Sequence, residues 1–360
     1  MSKLNGQFKI RDPIHGFIYF SQTEKAIIDN PYFQRLRRLH QLAVNELIFP
    51  GANHTRFSHC LGVMHLASKY AEHLFPDDPQ TIKIARLAGL LHDIGHGPFS
   101  HTWDDTIYKK IYSQSKGHDQ HRLRIIKETD LAQLIKDCGV EPDEILAVWS
   151  GEKQLLHAIV QGVLGADRMD YLLRDSYYLG TRQFGTIEYE RIINESRIEN
   201  CILHYNVKLQ NDIFHALKGR AYMYENFYYH KTNMSANIVI KEIIKYYENS
   251  LIERTKDLSQ FVDLDETFIY QISKDDPAYY WVQRFKNRQL PKLVKEFKEV
   301  INNKWLYIER TEPLIAIDKE QFSKDNIKFW SSENKQSLDL EQLANYEHND
   351  DKKIITRYYQ

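Results

Sequence analysis

The chain has 360 residues, in which 48 Lys and Arg nearly balance 49 Asp and Glu. This balance gives no electrostatic reason to expect a nucleic acid or a membrane surface as partner. Hydrophobic residues make up 42% and charged residues 27%, which is typical of a soluble globular protein with a sizeable core. No stretch approaches roughly 18 uninterrupted apolar residues, so we expect no membrane span. The cysteines, Cys60, Cys138 and Cys201, are far apart and indicate neither a disulfide framework nor a zinc knuckle, which favours a cytoplasmic protein.

The N-terminal segment predicts a β-hairpin, because residues 7–20 alternate apolar and polar positions around a Pro-Ile-His-Gly turn. After the hairpin the pattern becomes helical, since apolar residues recur at three- and four-residue spacing. The predicted helical segments are Ile27–Leu42, Leu61–Leu74, Ile82–Leu91, Leu123–Ile135 and Leu155–Leu179. The sequence therefore predicts a mainly α-helical core.

The remainder of the chain predicts more helix and then a different kind of structure. Residues 213–253 predict two further helices, the first of which is crowded with tyrosines between Tyr222 and Tyr229. From about residue 305, short β-branched or aromatic runs alternate with polar turns; they are WLYIE, LIAI, IKFW and IITRYY. We therefore predict a helical core with its hairpin over residues 1–255 and a small mixed α/β lobe over residues 256–360.

The most informative stretch is ARLAGLLHDIGHGPFSHTWD, residues 85–104. Leu87, Leu90 and Leu91 form an apolar helix face that leads directly into His92 and Asp93. Two polar side chains at the end of such a helix would be desolvated without evident partners, and a metal ion would offset that cost. Imidazole and carboxylate ligands suit zinc, iron, manganese or nickel better than calcium. The sequence therefore predicts one divalent transition metal here.

More ligands are needed, because an adjacent pair cannot complete a metal site. His96 lies four residues after His92 and shares its helical face if the helix continues past the pair. His59, in TRFSHCLGV, comes a few residues before a predicted helix, and Asp167, in LGADRMDYLL, opens another. A set of two imidazoles and two carboxylates leaves coordination positions for water and substrate, as a catalytic site requires; its members are His59, His92, Asp93 and Asp167.

Each residue also has an ordinary structural interpretation. A single histidine beside an apolar helix, such as His59, is usually a core or surface residue. Asp167 could be a helix N-cap, or it could pair with Arg168 or Arg174. The segment HDIGHGPFSH after an Ala- and Leu-rich helix is much more specific, and it favours the metal interpretation for the whole set.

Six segments of the chain occur together in the order typical of one family; they are DPIHGFIYF, NPYFQRLRRLHQL, FPGANHTRFSHCLGV, AGLLHDIGHGPFSH, GHDQH and ADRMDYLLRDSYYLG. On these segments the sequence resembles the HD-domain dNTP triphosphohydrolases, most closely the branch of the vertebrate sterile-alpha-motif/HD-domain dNTPase and its bacterial relatives. Weaker similarity runs to the C-terminus, so the resemblance covers nearly the whole chain. It implies an HD-type helical fold and hydrolysis of a dNTP to a deoxynucleoside and tripolyphosphate.

The resemblance implies the same four metal ligands and adds a catalytic set, which is His96, His101, Asp104 and His118. His101 or His118 would give a proton to the departing 5′-oxygen, oriented by Asp104, while His96 would help to hold the phosphates. Taken without the resemblance, His118 in KGHDQHR is more typical of an exposed loop histidine.

A dNTP pocket is implied as well, with Mg²⁺ as a possible companion of the phosphates. The residues assigned to it are Gln41, Leu42, Arg56, Arg168, Tyr171, Asp175, Arg220 and Tyr228. The arginines suit phosphate oxygens, because guanidinium groups bind them in pairs of hydrogen bonds. Arg168 and Asp175 could instead be helix-surface charges, and the tyrosines could be core. The family has a histidine where this chain has Tyr224, so the details of substrate contact are expected to differ.

The resemblance further implies a regulatory site between subunits, and hence a homo-oligomer, expected to be a tetramer, that GTP or dGTP activates. The residues that match it are Asp29, Gln34, Arg37, Arg288 and Lys292. Under this interpretation the C-terminal lobe is regulatory. The chain departs from the regulated vertebrate enzyme at Phe8, where that enzyme has a lysine.

Two other functions compete with this interpretation. HD proteins also include phosphodiesterases and nucleases that act on other nucleotides, although the near-neutral charge argues against a long nucleic-acid substrate. A nucleotide-sensing module that has lost catalysis is the second alternative. Such a module would be expected to lack a metal ligand, and none is missing.

Overall fold

The computed structural model describes residues 7–113, 116–181, 183–297, 307–310, 319–331, 336–343 and 355–360. It confirms a mainly helical fold with an N-terminal hairpin and a small mixed C-terminal lobe. The helices are α1 Gln22–Asp29, α2 Pro31–Gln34, α3 Arg56–Leu74, α4 Pro79–Leu91, α5 His101–Trp103, α6 Lys109–Tyr112, α7 Gly117–Glu128, α8 Leu131–Asp137, α9 Pro142–Ser150, α10 Gln154–Val160, α11 Ala166–Tyr178, α12 Tyr189–Asn194, α13 Gln210–Met223, α14 Lys231–Lys256, α15 Leu258–Phe261, α16 Tyr279–Lys286 and α17 Lys319–Lys324. Across the described ranges, no helix is both long and apolar enough to cross a membrane.

The strands of the described residues form three small sheets. They are β1 Phe8–Asp12, β2 Gly16–Phe20, β3 Ser196–Glu199, β4 Ile202–Asn206, β5 Leu293–Phe297, β6 Tyr307–Arg310, β7 Ile327–Ser331, β8 Gln336–Leu338 and β9 Thr356–Tyr359. The orders are β1-β2, β3-β4-β7-β8 and β5-β9-β6. The predicted run LIAI lies outside the described residues, as does the start of WLYIE.

The N-terminal hairpin forms as the sequence predicts. Strands β1 and β2 pair antiparallel, with Asp12 opposite Gly16. Gly16 has a φ of 73°, a left-handed conformation that glycine adopts without a steric penalty. The Asp12 carboxylate accepts hydrogen bonds from the backbone N–H groups of Ile14 and His15 at 2.9 and 3.0 Å. These bonds fix the tip of the hairpin.

Helices α3, α4 and α11 form the centre of the core. Most of α3 and α4 is buried, because their apolar residues surround the helix rather than lining one face. Gly89 allows the two helices to approach closely, since a Cβ atom there would lie 3.1 Å from the carbonyl oxygen of Val63. This packing brings the start of α3 close to the end of α4.

Several predicted helical segments are divided in the structure, because capping residues end one helix and begin the next. The segment Ile27–Leu42 breaks at Asn30, whose side chain caps α2 while Pro31 occupies its first turn. Leu123–Ile135 divides between α7 and α8, and Leu155–Leu179 divides between α10 and α11. In contrast, α3 starts at Arg56, earlier than the predicted Leu61, so that His59 lies inside the helix.

The strands β3 and β4 are a hairpin that the helical pattern did not predict. Strand β4 pairs parallel with β7 from the C-terminal part of the chain, with Leu203 opposite Ile327. The sheet therefore contains strands from both sides of residue 255. The division into a core of residues 1–255 and a lobe of residues 256–360 stays a prediction.

Candidate metal centre and active site

The end of α4 positions the His-Asp pair. The helix ends at Leu91, and His92 is its C-cap residue. The Nδ1 atom of His92 lies 2.8 Å from the carbonyl oxygen of Gly89, so Nδ1–H donates to it and Nε2 keeps its lone pair on the opposite side of the ring. Both His92 and Asp93 are buried. The local backbone thus turns an imidazole nitrogen and a carboxylate into the interior.

Helices α3 and α11 bring the other two predicted ligands to the same place. The Nε2 atom of His59 lies 3.2 Å from that of His92 and 3.2 Å from Asp167 Oδ1. His92 Nε2 lies 3.6 Å from Asp167 Oδ1 and 3.4 Å from Asp93 Oδ1. Two imidazole lone pairs and two carboxylates that face one another at these distances fit a divalent cation, which would be attracted to all four.

The alternative interpretations of Asp167 do not match its position. Gly165, rather than Asp167, is the N-cap of α11. Arg174 pairs with Asp12 and Asp170. Burial alone would raise the pKa of Asp167, but its electrostatic interaction with His92 and its hydrogen bond with His59 hold that pKa below its usual value. Asp167 is therefore available as a carboxylate ligand.

A single guanidinium balances part of the negative charge. Arg56, in the first turn of α3, forms a buried ion pair with Asp93 and donates to the Ser100 hydroxyl at 2.8 Å. Burial would raise the pKa of Asp93, but the charge of Arg56 and the interactions with the imidazoles of His92 and His96 hold that pKa well below its usual range. Arg56 thus lies within contact distance of the ligand set, as a phosphate-binding group at this centre must.

His96 reaches the centre, although not in the way the helical spacing predicted. We expected His96 to share a helical face with His92 if the helix continued through Gly95, but α4 ends at Leu91, so that condition is not met. The turn after the helix instead places His96 Nε2 3.2 Å from Asp93 Oδ1. Burial lowers the pKa of His96 well below its usual value, and the nearby Arg56 and His118 charges lower it further. His96 is consequently a neutral hydrogen-bonding group.

Next to His96, a carboxylate orients two further histidines. Asp104 Oδ2 lies 2.7 Å from His118 Nδ1 and 3.2 Å from His101 Nδ1. The His118 ring stacks on His96 with 3.9 Å between the ring centroids. His118 is buried in the first turn of α7, so its interpretation as an exposed loop residue is wrong, whereas the His101 side chain is 80% exposed. Both rings can present Nε2 to a reacting group.

The predicted sugar pocket contains a buried carboxylate with two polar partners. Tyr228 donates its hydroxyl to Asp175 Oδ2 at 2.6 Å, and His54 Nε2 lies 2.7 Å from Asp175 Oδ1. The Tyr171 and Tyr228 rings meet edge to face, with 6.5 Å between their centroids. Asp175 is buried, so it is not a helix-surface charge. Sequence reasoning missed His54, whose link to Asp175 spans 121 residues.

Among the other predicted substrate residues, Arg220 lies beside Tyr171. Arg220 donates to the Tyr171 hydroxyl at 3.3 Å and stacks over the Tyr224 ring at 4.8 Å. Tyr224 thus fills the family's histidine position with a cation–π partner for an arginine. Three others are half-buried, namely Gln41, Leu42 and Arg168. The Gln41 side-chain oxygen is a buried acceptor without a protein partner among the described residues, which suits a ligand donor.

The predicted regulatory residues form two groups. In the first, Arg37 donates to Gln34 Oε1 at 2.9 Å and lies 3.5 Å from the centre of the Phe57 ring. Asp29 forms an exposed ion pair with Lys25, and no ion pair between described residues joins it to Arg37. In the second group, Arg288 donates to the Leu47 carbonyl oxygen at 3.2 Å, and the Lys292 backbone bonds to Gln360. Within the described ranges no hydrogen bond connects the two groups.

A further carboxylate, Asp170, lies behind the metal ligands and was not predicted from the sequence. Asp170, one turn after Asp167 in α11, has its Oδ2 atom 2.8 Å from His59 Nδ1. Metal-binding histidines usually donate their second nitrogen to such a carboxylate, which fixes the tautomer and the ring orientation. The spacing of three residues between the two aspartates was the available signal, because it places both on one face of a helix.

Comparison with known proteins agrees with this geometry. Residues 56–172 match the HD domain family, a range that contains all four predicted ligands. A crystal structure of a hypothetical protein from Aquifex aeolicus is similar, with a TM-score of 0.81 and 27% identity, over 98% of this chain and 96% of that one. A phosphohydrolase from Bacteroides thetaiotaomicron shares the fold, with a TM-score of 0.82 and 23% identity, over 98% of this chain and 99% of its own.

Two curated proteins are also similar to this chain in sequence. An uncharacterized protein of Methanocaldococcus jannaschii is 33% identical over 327 residues, which is 88% of this chain and 66% of the relative. The deoxynucleoside triphosphate triphosphohydrolase SAMHD1 homolog of Dictyostelium discoideum is 28% identical over 343 residues, which is 88% of this chain and 63% of the relative. The chain thus spans just under two thirds of these curated relatives. The chain therefore contains an HD domain over residues 56–172. Its sequence is also related to the SAMHD1-like proteins.

Proposed function

We propose that the protein is a metal-dependent phosphohydrolase that converts a deoxynucleoside triphosphate and water into a deoxynucleoside and tripolyphosphate. The observation that carries the proposal is the convergence of His59, His92, Asp93 and Asp167 in one cluster, in which all but the half-buried Asp167 are buried. The sequence similarity of the chain to a dNTP triphosphohydrolase homolog supports the choice of a dNTP as substrate.

The four converging side chains would hold one divalent ion, of zinc, iron, manganese or nickel. An ion held there supplies Lewis acidity, which activates water and offsets the charge of the phosphoryl oxygens. Arg56 adds a guanidinium beside the same carboxylates, and Arg220 adds another near the tyrosines. Together these cations would bind a triphosphate that carries several negative charges.

Cleavage at the α-phosphorus leaves the 5′-oxygen in need of a proton. We assign that proton to His118 or His101, because Asp104 accepts from Nδ1 of each and leaves Nε2 to act. At the sugar of the substrate, Asp175 would accept a hydrogen bond from the 3′-hydroxyl. Tyr228 and Tyr171 would pack against the deoxyribose and disfavour a 2′-hydroxyl there.

Product analysis tests the proposal. The metal-loaded protein is incubated with each dNTP, alone and with GTP or dGTP, and the phosphorus products are separated by ion chromatography. Tripolyphosphate with an equal amount of deoxynucleoside is the expected result. Parallel reactions with cyclic nucleotides and single-stranded DNA test the phosphodiesterase and nuclease alternatives. Pyrophosphate or orthophosphate as the first product would exclude the triphosphohydrolase assignment, and no turnover of any substrate would favour the nucleotide-sensing module.

We also propose that a guanine nucleotide activates the enzyme by binding between subunits of a homo-oligomer, expected to be a tetramer. The exposed Asp29 and Arg37 carry opposite charges on one surface and would form hydrogen bonds with a guanine edge. Arg288 and Lys292 supply positive charge from a distant part of the chain, suited to phosphates.

A further inference from the structure

A fully buried carboxylate, Asp170, lies behind the metal centre and accepts four hydrogen bonds. Its Oδ2 atom lies 2.8 Å from His59 Nδ1 and 2.9 Å from Arg174 Nε. Its Oδ1 atom lies 2.6 Å from His15 Nε2 and 2.9 Å from Arg174 Nη2. Each oxygen therefore has two donors, which prevents the carboxylate from rotating.

One of those donors comes from the tip of the N-terminal hairpin. His15 is buried against Asp170, which is 155 residues away in sequence. The hairpin is attached at a second point, because Arg174 donates to Asp12 Oδ2 at 2.7 Å while Asp12 Oδ1 binds the backbone of the tip. The hairpin tip and α11 thus share one hydrogen-bonded network.

The backbone of α3 leaves room for this network. A Cβ atom at Gly62 would lie 1.8 Å from Asp170 Oδ1 and 2.5 Å from Arg174 Nη2. These separations are far below any van der Waals contact. Glycine is therefore needed one turn after His59 so that the carboxylate can reach both His15 and His59.

We propose that His15 is a positioning residue of the metal centre: it fixes Asp170, and Asp170 fixes the ring of His59. The proposal rests on the proposed metal site. Asp170 contacts the Nδ1 atom of His59, whereas the Nε2 atom on the far side of the ring faces the metal site. A small rotation of the ring about the Nδ1 contact would therefore displace Nε2. Holding the ring in one orientation preorganises the site, and loss of such a supporting contact typically weakens metal binding by about 10- to 100-fold.

A purely structural role predicts a different result. The ion pair between Arg174 and Asp12 already attaches the hairpin to α11. If His15 served only to hold the hairpin, its removal would lower the thermal stability of the metal-free and metal-loaded proteins equally. A positioning role instead reduces the extra stability that metal binding provides, because that increment depends on metal affinity.

Cobalt(II) affinity, measured by chelator competition on the full chain, tests the proposal. The variants are His15→Ala, His15→Gln, whose amide nitrogen can occupy the place of Nε2, and His15→Asn, whose shorter amide cannot. The matched control is His204→Ala, which removes a buried histidine of β4 that bonds to Ile202 and Ser337. We expect cobalt affinity to fall about 10- to 100-fold in the Ala and Asn variants, with a changed cobalt absorption spectrum, and to stay near wild type in the Gln and control variants.

The outcomes separate the two proposals. Wild-type affinity and an unchanged spectrum in both His15→Ala and His15→Asn would overturn the positioning role alone. If His15→Ala does not fold, equal affinity of the Asn and Gln variants would overturn it as well. If the wild-type chain binds cobalt no better than His92→Ala does, the metal centre itself is wrong and the positioning role fails with it.

Discussion

The metal centre and the predicted regulatory surface differ in how their side chains are held. At the metal centre, His59 and His92 each have one ring nitrogen bound to a protein acceptor, which directs the other inward. On the regulatory surface, Asp29 pairs with its helical neighbour Lys25, and Arg37 bonds to the nearby Gln34. The first region is organised before any ligand arrives, whereas the second makes local contacts that a ligand or a second subunit would have to replace.

This difference predicts where substitutions act. A substitution at a buried, preorganised centre removes an interaction that nothing else replaces, so its effect should be large and specific. An exposed pair contributes at most about 1 kcal/mol to stability, so a substitution there should change only ligand-dependent behaviour.

The largest effect is expected at the His-Asp pair. His92→Ala and Asp93→Ala should each abolish metal retention and lower hydrolysis by at least about 1,000-fold, because each removes a proposed ligand while the helices remain packed. Metal analysis after dialysis measures retention, a dNTP hydrolysis assay measures activity, and circular dichroism follows helix content. His204→Ala is the control. Full activity of either variant after chelation would make the metal assignment wrong.

The next effect is steric. Gly62→Ala should destabilise the protein by roughly 1–3 kcal/mol and weaken metal binding, because the new methyl group displaces Asp170 and Arg174. Urea unfolding of the metal-free chain gives the first quantity, and chelator competition gives the second. Lys69→Ala, at a half-buried residue of the same helix that pairs with Glu190 and not with Asp170 or Arg174, should change neither. An unaltered metal affinity in Gly62→Ala would show that the network can shift without moving His59.

A smaller effect is expected in the sugar pocket. Tyr228→Phe removes the hydroxyl bonded to Asp175, and a hydrogen bond to a charged group is worth about 1.5–3 kcal/mol. We therefore expect kcat/KM for a dNTP to fall about 10- to 100-fold with metal content unchanged. Tyr222→Phe, at an exposed tyrosine of the same segment, serves as control. Equal kinetics of the two variants would remove Tyr228 from the pocket.

The smallest effect on the isolated chain is expected on the regulatory surface. Arg37→Glu should change stability by less than about 1 kcal/mol and leave metal content unaltered, because the guanidinium is exposed. It should weaken activation and assembly together, since a carboxylate would replace the cation expected to bind the guanine. Sedimentation and dNTP hydrolysis, with and without dGTP, measure both. An identical nucleotide response in wild type and variant would contradict the regulatory proposal.

The two regions also differ in what the sequence could predict. The pair His92-Asp93 was recognisable because an apolar helix leading into two polar residues is a local pattern. The contact of Asp170 with His15 was not, because it joins residues far apart in the chain. The predicted segment Ile82–Leu91 gave the end of α4 correctly, but the turn that follows it and brings His96 to Asp93 was not predicted. Helix type was thus predictable, whereas the start of α3, the break at Asn30 and the supporting contacts depended on capping and tertiary packing.

The most direct test of the proposed chemistry is ³¹P NMR of a dNTP hydrolysed by the metal-loaded protein in ¹⁸O-labelled water. Attack of water on the α-phosphorus places the label on a terminal phosphate of tripolyphosphate, and the unlabelled 5′-oxygen leaves with the deoxynucleoside. We predict that product as the first to appear and predict its absence with His92→Ala. Labelled pyrophosphate or orthophosphate as the first product, or equal turnover by His92→Ala, would contradict the account.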